Sequence, residues 1–272
     1  VLSLIPIVTV FLYSLVDNVI ITRTAPTFVG LKNYIEIISD NHFLQALKNT
    51  FIFSGSSVVA HFIIGLSFAL LLNTRLIGIV PRAIFRVFFI LPWVFTASII
   101  AILWRLLLDP NGVANYLLTQ LGLASKEIEW LGSKQLALPA VIFINIWAGY
   151  PFYMVSFLAG LQGIPDDLYE AGKIDGANSV QLFRYITLPQ LKPIIISLAM
   201  LDFIWTTAQF TLIWMTTGGG PIRATEMLST YTYKLAFSSS EFSQASTTAI
   251  IILAISTFVA VFYVRNQRST NE

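Results

Sequence analysis

The chain has 272 residues, of which 11% are charged and 56% hydrophobic, where a soluble domain carries about a quarter of charged residues; a soluble monomer is excluded, and lipid is the solvent for most of the chain. Lys and Arg number 16 against 14 Asp and Glu, a net charge of +2, which leaves no basic excess for a phosphate backbone, so nucleic acid is not an expected partner. The absence of cysteine excludes disulfides, thiolate metal sites and cysteine nucleophiles together.

The sequence opens at Val1 in an apolar run, and an N-terminal segment is expected to precede it. A hydrocarbon core of roughly 30 Å takes about 20 apolar residues per helix. Six stretches reach that length: Leu2 to Ile21, Thr50 to Leu72, Phe85 to Leu108, Leu136 to Leu161, Ile194 to Met215, and Thr247 to Val264. The expected fold is all-α, with six transmembrane helices in one domain over residues 1–272 and no soluble domain attached. Arg75, Arg82 and Arg86 fall in Asn73 to Arg86 without an acid, which assigns that segment to the cytoplasm. Alternation then puts Gln162 to Lys192 and Arg265 to Glu272 inside, with Asn111 to Lys134 and Gly218 to Glu241 outside.

Before the second span, Leu31, Tyr34, Ile35 and Ile38 recur at helical spacing, readable as a short amphipathic helix at the surface or as an interfacial connector. His61 lies inside the second span; it reads as an interhelical hydrogen bonder or, less simply, as a ligand or proton relay. It is not spaced with His42 as a metal pair. Pro92, Pro139, Pro151 and Pro193 sit in or beside spans, where each removes a backbone donor; they either kink helices around a cavity or are ordinary membrane prolines. Arg105, near the outer end of the third span, reads as an interface anchor. No GxxxxGK[ST] loop occurs, so the chain has no ATP phosphate cradle of that kind.

Asp202 falls about two turns into the fifth span, at a depth where an ionisable group costs several kcal/mol unless it meets a partner or water. Asp202, Thr206 and Gln209 are spaced by four and three residues and share a helix face, with Trp205 beside them. Such a face suits a neutral polyol, the polar groups taking hydroxyls and the indole covering the C–H side of a sugar. It equally suits a polar seam between helices. An anionic ligand is disfavoured here because Asp202 would repel it.

The segment between the fourth and fifth spans, residues 162–192, carries the strongest signal. Pro165 with Asp166 and Asp167 marks a helix start, Gly176 a break, and a second short helix is predicted from Asn178 or Ser179 to Ile186, before Pro189. Two short helices with an elbow, tethered between spans, form a knob suited to docking.

Glu170-Ala171-Gly172, three residues, Gly176, nine residues, then Ile186-Thr187-Leu188-Pro189 resembles the EAA loop of permease subunits in bacterial binding-protein-dependent ABC importers, with Gly172 where the third position is usually Ala. GLKNY at Gly30 to Tyr34, ALKNT at Ala46 to Thr50, ILPW at Ile90 to Trp93, IPDDLYEAGKIDGA, TGGGP at Thr217 to Pro221 and YTYKLAF at Tyr231 to Phe237 extend the resemblance over nearly the whole chain. Together they are similar to the carbohydrate-uptake class, in particular to the maltose-importer subunit whose membrane helices hold the sugar.

The resemblance implies a multi-pass protein of the bacterial inner membrane that is not itself an enzyme. Glu170, Ala171, Gly172, Asp175, Gly176, Ala177, Ile186, Leu188 and Pro189 would belong to a coupling-helix pair inserted in a separate ATPase. Trp93, Ala148, Gly149, Phe152, Asp202, Trp205, Thr206 and Gln209 would be sugar contacts, with Asp202 replacing residues that are commonly neutral. The implied partners are a second permease in a heterodimer, two ATPase subunits and an extracytoplasmic sugar-binding protein. No cofactor is expected in this chain, ATP and Mg²⁺ being held by the ATPase. A proton-coupled secondary transporter using Asp202 is the alternative reading.

Overall fold

The computed structural model describes residues 4–17, 25–74 and 78–268. In chain order they form α1 (Leu4–Ser14), a two-residue strand β1 (Val16–Asp17) paired antiparallel with β2 (Thr27–Phe28), α2 (Lys32–Ser39), α3 (Asn41–Asn73), α4 (Ile79–Val94), α5 (Ala97–Leu107), α6 (Val113–Gln120) and α7 (Ala137–Gln162). There follow α8 (Asp166–Ile174), α9 (Ser179–Leu182), a π-helical turn (Phe183–Thr187), α10 (Leu188–Thr207), α11 (Thr211–Thr216), α12 (Leu228–Phe237) and α13 (Phe242–Arg268). Among the described residues four helical stretches are long and apolar enough to cross a membrane: α3, α7, the run Ser179–Thr207, and α13 from Phe242 to Val261. The bent pair α4 and α5 supplies a fifth if counted as one span.

The parallel pair α3 and α7 is the spine. Gly65 of α3 permits their close approach, since a Cβ there would stand 2.4 Å from Cβ of Tyr153. At one end of the spine Leu66, Ala69 and Leu72 interlock with Met154, Phe157, Leu161 and, from α10, Leu191. Toward the other end Phe53, Ile144, Ile100 of α5 and Leu212 and Ile213 of α11 form a second cluster. Between the clusters the buried residues turn polar: Ser54, Ser57, His61, Asp202, Thr206 and Thr207. In lipid, where apolar burial gives helices little reason to associate, such groups supply interhelical hydrogen bonds; Ser54 and Thr207 meet at 3.2 Å.

Three spans depart from expectation. The first, predicted as Leu2 to Ile21, is helical among the described residues over the 11 residues of α1, roughly 16 Å at 1.5 Å per residue, and gives way to strand at Val16. It stops because polar groups capture the chain: the Asn33 amide donates to the carbonyls of Ser14 (3.0 Å) and Val16 (3.2 Å), and the Leu15 carbonyl accepts from Val29 (2.9 Å) and Gly30 (3.2 Å). Residues 1–3 and 18–24 lie outside the described residues. The third span is broken at Phe95 and Thr96 by a 99° bend, where Pro92 weakens the end of α4 and the Thr96 hydroxyl caps α5 by accepting from Ile99.

The fifth span is displaced toward the docking knob. Pro189 does not end the second knob helix; the Leu188 N–H bonds to the Phe183 carbonyl, five residues back, so that Pro189 falls in the first turn of α10, where a missing donor costs little. The helix then ends at Thr207, not Met215, and the chain breaks over Ala208 to Phe210 before α11. The amphipathic helix before the second span is present as α2, but it buries Asn33 and Ile37 and leaves Leu31, Ile35 and Ile38 exposed. Arg75 and residues 269–272 lie outside the described residues, so the expectation for the basic loops rests there on sequence.

Candidate functional site

The 99° bend, the middle of α7 and the end of α10 enclose a cavity of about 280 Å³. Trp93, Ala148, Gly149, Phe152, Asp202, Trp205, Thr206 and Gln209, the eight residues named from sequence, all line it. Helical spacing explains the grouping within each element: Ala148, Gly149 and Phe152 share a face of α7, and Asp202, Trp205 and Thr206 a face of α10. Of the four prolines, Pro92 also lies in the wall.

One side of the cavity is aromatic. The Phe152 ring sits between those of Trp93, 5.9 Å away, and Trp205, 5.7 Å away. Trp205 is 56% exposed, so its face is free toward the opening. The other side is polar and buried. His61 Nδ1 stands 2.8 Å from Asp202 Oδ2, its Nε2 lies 3.0 Å from the Asn145 carbonyl, and the Thr206 hydroxyl donates to Asp202 Oδ1 at 2.9 Å. His61, weighed from sequence as an interhelical hydrogen bonder, therefore joins α3, α7 and α10. Asp202 meets the partner that its depth demands.

Asn145 was missed. It belongs to the same α7 face, three and four residues before Ala148 and Gly149, and that spacing was the available signal. Its side-chain Nδ2 is buried at the cavity wall without a hydrogen-bond partner among the described residues, an open donor where native structures rarely leave one.

At the other functional segment, α8 begins after Pro165 with Asp166 and Asp167 in its first turn. It ends in a Schellman turn: Gly176 has φ +80°, its N–H bonds to the Lys173 carbonyl (3.0 Å), and that of Ala177 to the Gly172 carbonyl (2.9 Å). Asn178 and Gln181 then form a reciprocal capping box at the start of α9. Gly172 explains its departure from Ala, since a Cβ there would lie 2.7 Å from Leu182 Cδ2 and 3.2 Å from Ile186 Cδ1.

Gly172, Ala177, Ile186 and Leu188 are half-buried, whereas Glu170, Ala171, Asp175, Gly176 and Pro189 are exposed. Glu170 lines a cavity of about 540 Å³ between the knob and the ends of α3 and α7. Ile174 at 87% and Val180 at 73% are exposed apolar side chains on either side of the elbow.

At the opposite end, the glycines of Thr217 to Pro221 are fixed, not loose. Gly218 and Gly219 have φ of +60° and +88°, Thr225 donates to the Gly220 carbonyl (2.7 Å), and the Asn49 amide donates to the carbonyls of Arg223, Ala224 and Glu226. Glu226, buried, pairs with Lys234 at 2.7 Å and Arg223 at 3.2 Å. Close by, Tyr231 donates to Asp40 at 2.6 Å. Partial burial pulls the Asp40 carboxyl upward, but the hydrogen bonds from Tyr231 and the His42 N–H outweigh it and leave its pKa below the ordinary value. Tyr231 is pushed up, by burial first and then by Asp40.

The broken helices, the cavity at their junction and the capped knob are those of a membrane transport component. Residues 61–271 match the family described as binding-protein-dependent transport system inner membrane component, and the chain belongs to that family. It is a multi-pass permease subunit of the inner membrane and not an enzyme.

The chain is 39% identical over 227 residues to the trehalose/maltose transport system permease protein MalF of Thermococcus litoralis, covering 83% of this chain and 75% of that one. It is 32% identical over 256 residues to the diacetylchitobiose uptake system permease protein NgcF of Streptomyces coelicolor, covering 88% and 71%. Among solved structures, a bacterial ABC transporter involved in the import of the acidic polysaccharide alginate superposes with a TM-score of 0.80 at 25% identity, over 90% of this chain and 85% of that one.

Proposed function

We propose that the chain is the sugar-carrying permease subunit of an ATP-driven importer, moving a neutral di- or oligosaccharide or a glycoside into the cytoplasm. The observation that carries this reading is the convergence on one cavity, with an aromatic wall and a polar floor, of the eight residues that the resemblance implies as sugar contacts, four of them also reached by helical spacing. Trp93, Phe152 and Trp205 cover the C–H faces of a sugar, while Thr206, Gln209 and Asn145 take its hydroxyls. The relatives named for trehalose or maltose and for diacetylchitobiose support the substrate class.

Neutrality of the substrate has a different basis from repulsion by Asp202. His61 compensates that carboxylate, and among the described residues no Lys or Arg lines the cavity. An anion would be desolvated there without a counter-charge.

In this reading the Glu170 to Pro189 knob docks in a cleft of a separate ATPase subunit, which binds ATP and Mg²⁺. The assembly is a heterodimer with a second permease, two ATPase subunits and an extracytoplasmic sugar-binding protein. The exposed Ile174 and Val180 on a doubly capped elbow support docking of that kind. Proton-coupled transport through Asp202 has less support, because both carboxylate oxygens are engaged, one by His61 of α3 and one by Thr206 of its own helix. The test is co-purification with the ATPase, followed by reconstitution. Hydrolysis stimulated by a sugar-loaded binding protein is expected; uptake driven by a proton gradient without the ATPase would overturn the reading.

A further inference from the structure

We infer that His61, which lies beneath the cavity and is only 2% exposed, is a positioning residue that fixes the donor and acceptor pattern offered to the sugar. The inference rests on the sugar reading above and adds to it the residue that sets hydroxyl orientation.

The Asn145 carbonyl can only accept, so His61 Nε2 carries a proton. Nδ1 faces the Asp202 carboxyl, and a proton lies between them whichever atom holds it. The pair is therefore net neutral, as imidazolium with carboxylate or as imidazole with acid. In either form Asp202 Oδ1 remains an acceptor and holds the Thr206 proton. Thr206 is left to present lone pairs to the cavity, where it accepts from a sugar hydroxyl. Asn145, whose backbone carbonyl accepts from His61, presents its unpartnered side-chain Nδ2 as a donor. One ring from α3 thus sets the acceptor on α10 and, through the Asn145 backbone, holds the turn of α7 that carries the donor.

Gly149 belongs to the same device. A Cβ at that position would stand 2.4 Å from Cε1 and Nε2 of His61, so the residue named from sequence as a sugar contact also seats the ring. Tyr153, its ring 5.8 Å from His61, closes the far side.

The test uses the reconstituted complex with labelled maltose, trehalose and diacetylchitobiose as probes. For His61→Leu, the uptake KM is expected to rise about tenfold or more while the rate at saturation falls less than about threefold. His61→Gln, which keeps an amide donor, should restore most of the affinity. An unchanged KM in His61→Leu at normal assembly overturns the inference. So does an equal loss of KM, maximal rate and assembly that His61→Gln does not relieve.

A sugar-free arm separates this inference from the reading beneath it. Melting of the purified complex is compared for His61→Gln, Asp202→Asn and the double variant. The double variant should melt closer to native than the summed shifts of the singles. Additive shifts overturn the pairing even if sugars are carried; coupled shifts with no uptake of any probe sink the sugar reading and leave His61 as a helix clasp, which also overturns its positioning role.

Discussion

Gly149 and His61 occupy one space: the glycine has no side chain where the imidazole of a neighbouring helix lies, 2.4 Å from the position a Cβ would take. The helix carrying His61 and the helix carrying Gly149 can keep their separation only while that vacancy is filled by the ring. Gly149→Ala should therefore disturb the histidine before it disturbs the sugar. Overpacking of this kind costs about 1–3 kcal/mol, and the expected result is a lowered melting temperature together with weaker uptake. Gly149→Ala combined with His61→Gln, whose side chain is flexible, should melt higher than Gly149→Ala alone.

Trp205 offers an open indole face at the cavity mouth, in line with Phe152 and Trp93. Trp205→Ala should lower the transient affinity for sugar by about 1–3 kcal/mol, read as a rise in uptake KM. The affinity of the isolated binding protein should stay as it was. Normal uptake by both Trp205→Ala and Asp202→Ala, at normal expression, would mean that the face serves only as a packing seam.

Gly176 sits at φ +80° with open space where a side chain would go. Backbone conformation, not crowding, is therefore the objection to any other residue. Gly176→Val forces a β-branched side chain into the left-handed region, costing at least about 1–2 kcal/mol, and should unwind the elbow between α8 and α9. The permease should still insert, while association with the ATPase and sugar-stimulated hydrolysis fall. Gly176→Asn, tolerant of that conformation, should retain more of both.

Sidedness can be read with thiols because the chain has no cysteine. Single cysteines at the exposed Ser125 and Ser179 should react with an impermeant reagent from opposite faces of the membrane. Labelling of Ser179 from outside in intact cells would reverse the assignment.

The Asp40–Tyr231 bond links the start of α3 to α12. Because the folded state holds the Asp40 carboxyl below its ordinary pKa, its contribution is complete above the ordinary carboxylate range and is lost as pH falls through the folded value. Tyr231, pushed upward, keeps its proton through neutral pH and gives up its contribution only on the alkaline side, beyond the ordinary tyrosine range. Melting temperatures of native protein and Tyr231→Phe should differ most near neutral pH and converge in acid. A constant difference down to pH values below the ordinary carboxylate range would show that the hydroxyl acts only by packing.

What could be read from sequence was local. The face of Asp202, Trp205 and Thr206 and the elbow from Pro165 through Gly176 to Asn178 are each written within a few turns of chain, and helical spacing and capping chemistry suffice for them; Gln209, placed on the same face by spacing, lies past the end of α10 and lines the cavity from the break. The pairing of His61 with Asp202 spans 141 positions, and periodicity says which face a residue shares, not which face of another helix it meets. The break at Phe95 and Thr96 escaped because apolar residues continue through it, so hydropathy sees one span where Pro92 and a capping threonine make two. The shift of the fifth span escaped for the converse reason: Pro189 looks like a stop unless the π-helical register before it is known. The stop of α1 after Ser14 depends on Asn33, seventeen residues downstream of Val16, which no local pattern connects to it.

From Ser179 to Thr207 the backbone is one helical rod of 29 residues, roughly 40 Å long at 1.5 Å per residue. Its first turns, as far as Pro189, belong to the knob and its last turns carry Asp202, Trp205 and Thr206. The rod behaves as a lever whose two ends cannot be displaced independently: a tilt of a few degrees about its middle moves Val180 and Trp205 by comparable distances in opposite directions. The aromatic wall then shifts relative to Phe152, which rides on a different helix. The π-helical turn and Pro193 are the two places along that length where the lever can yield.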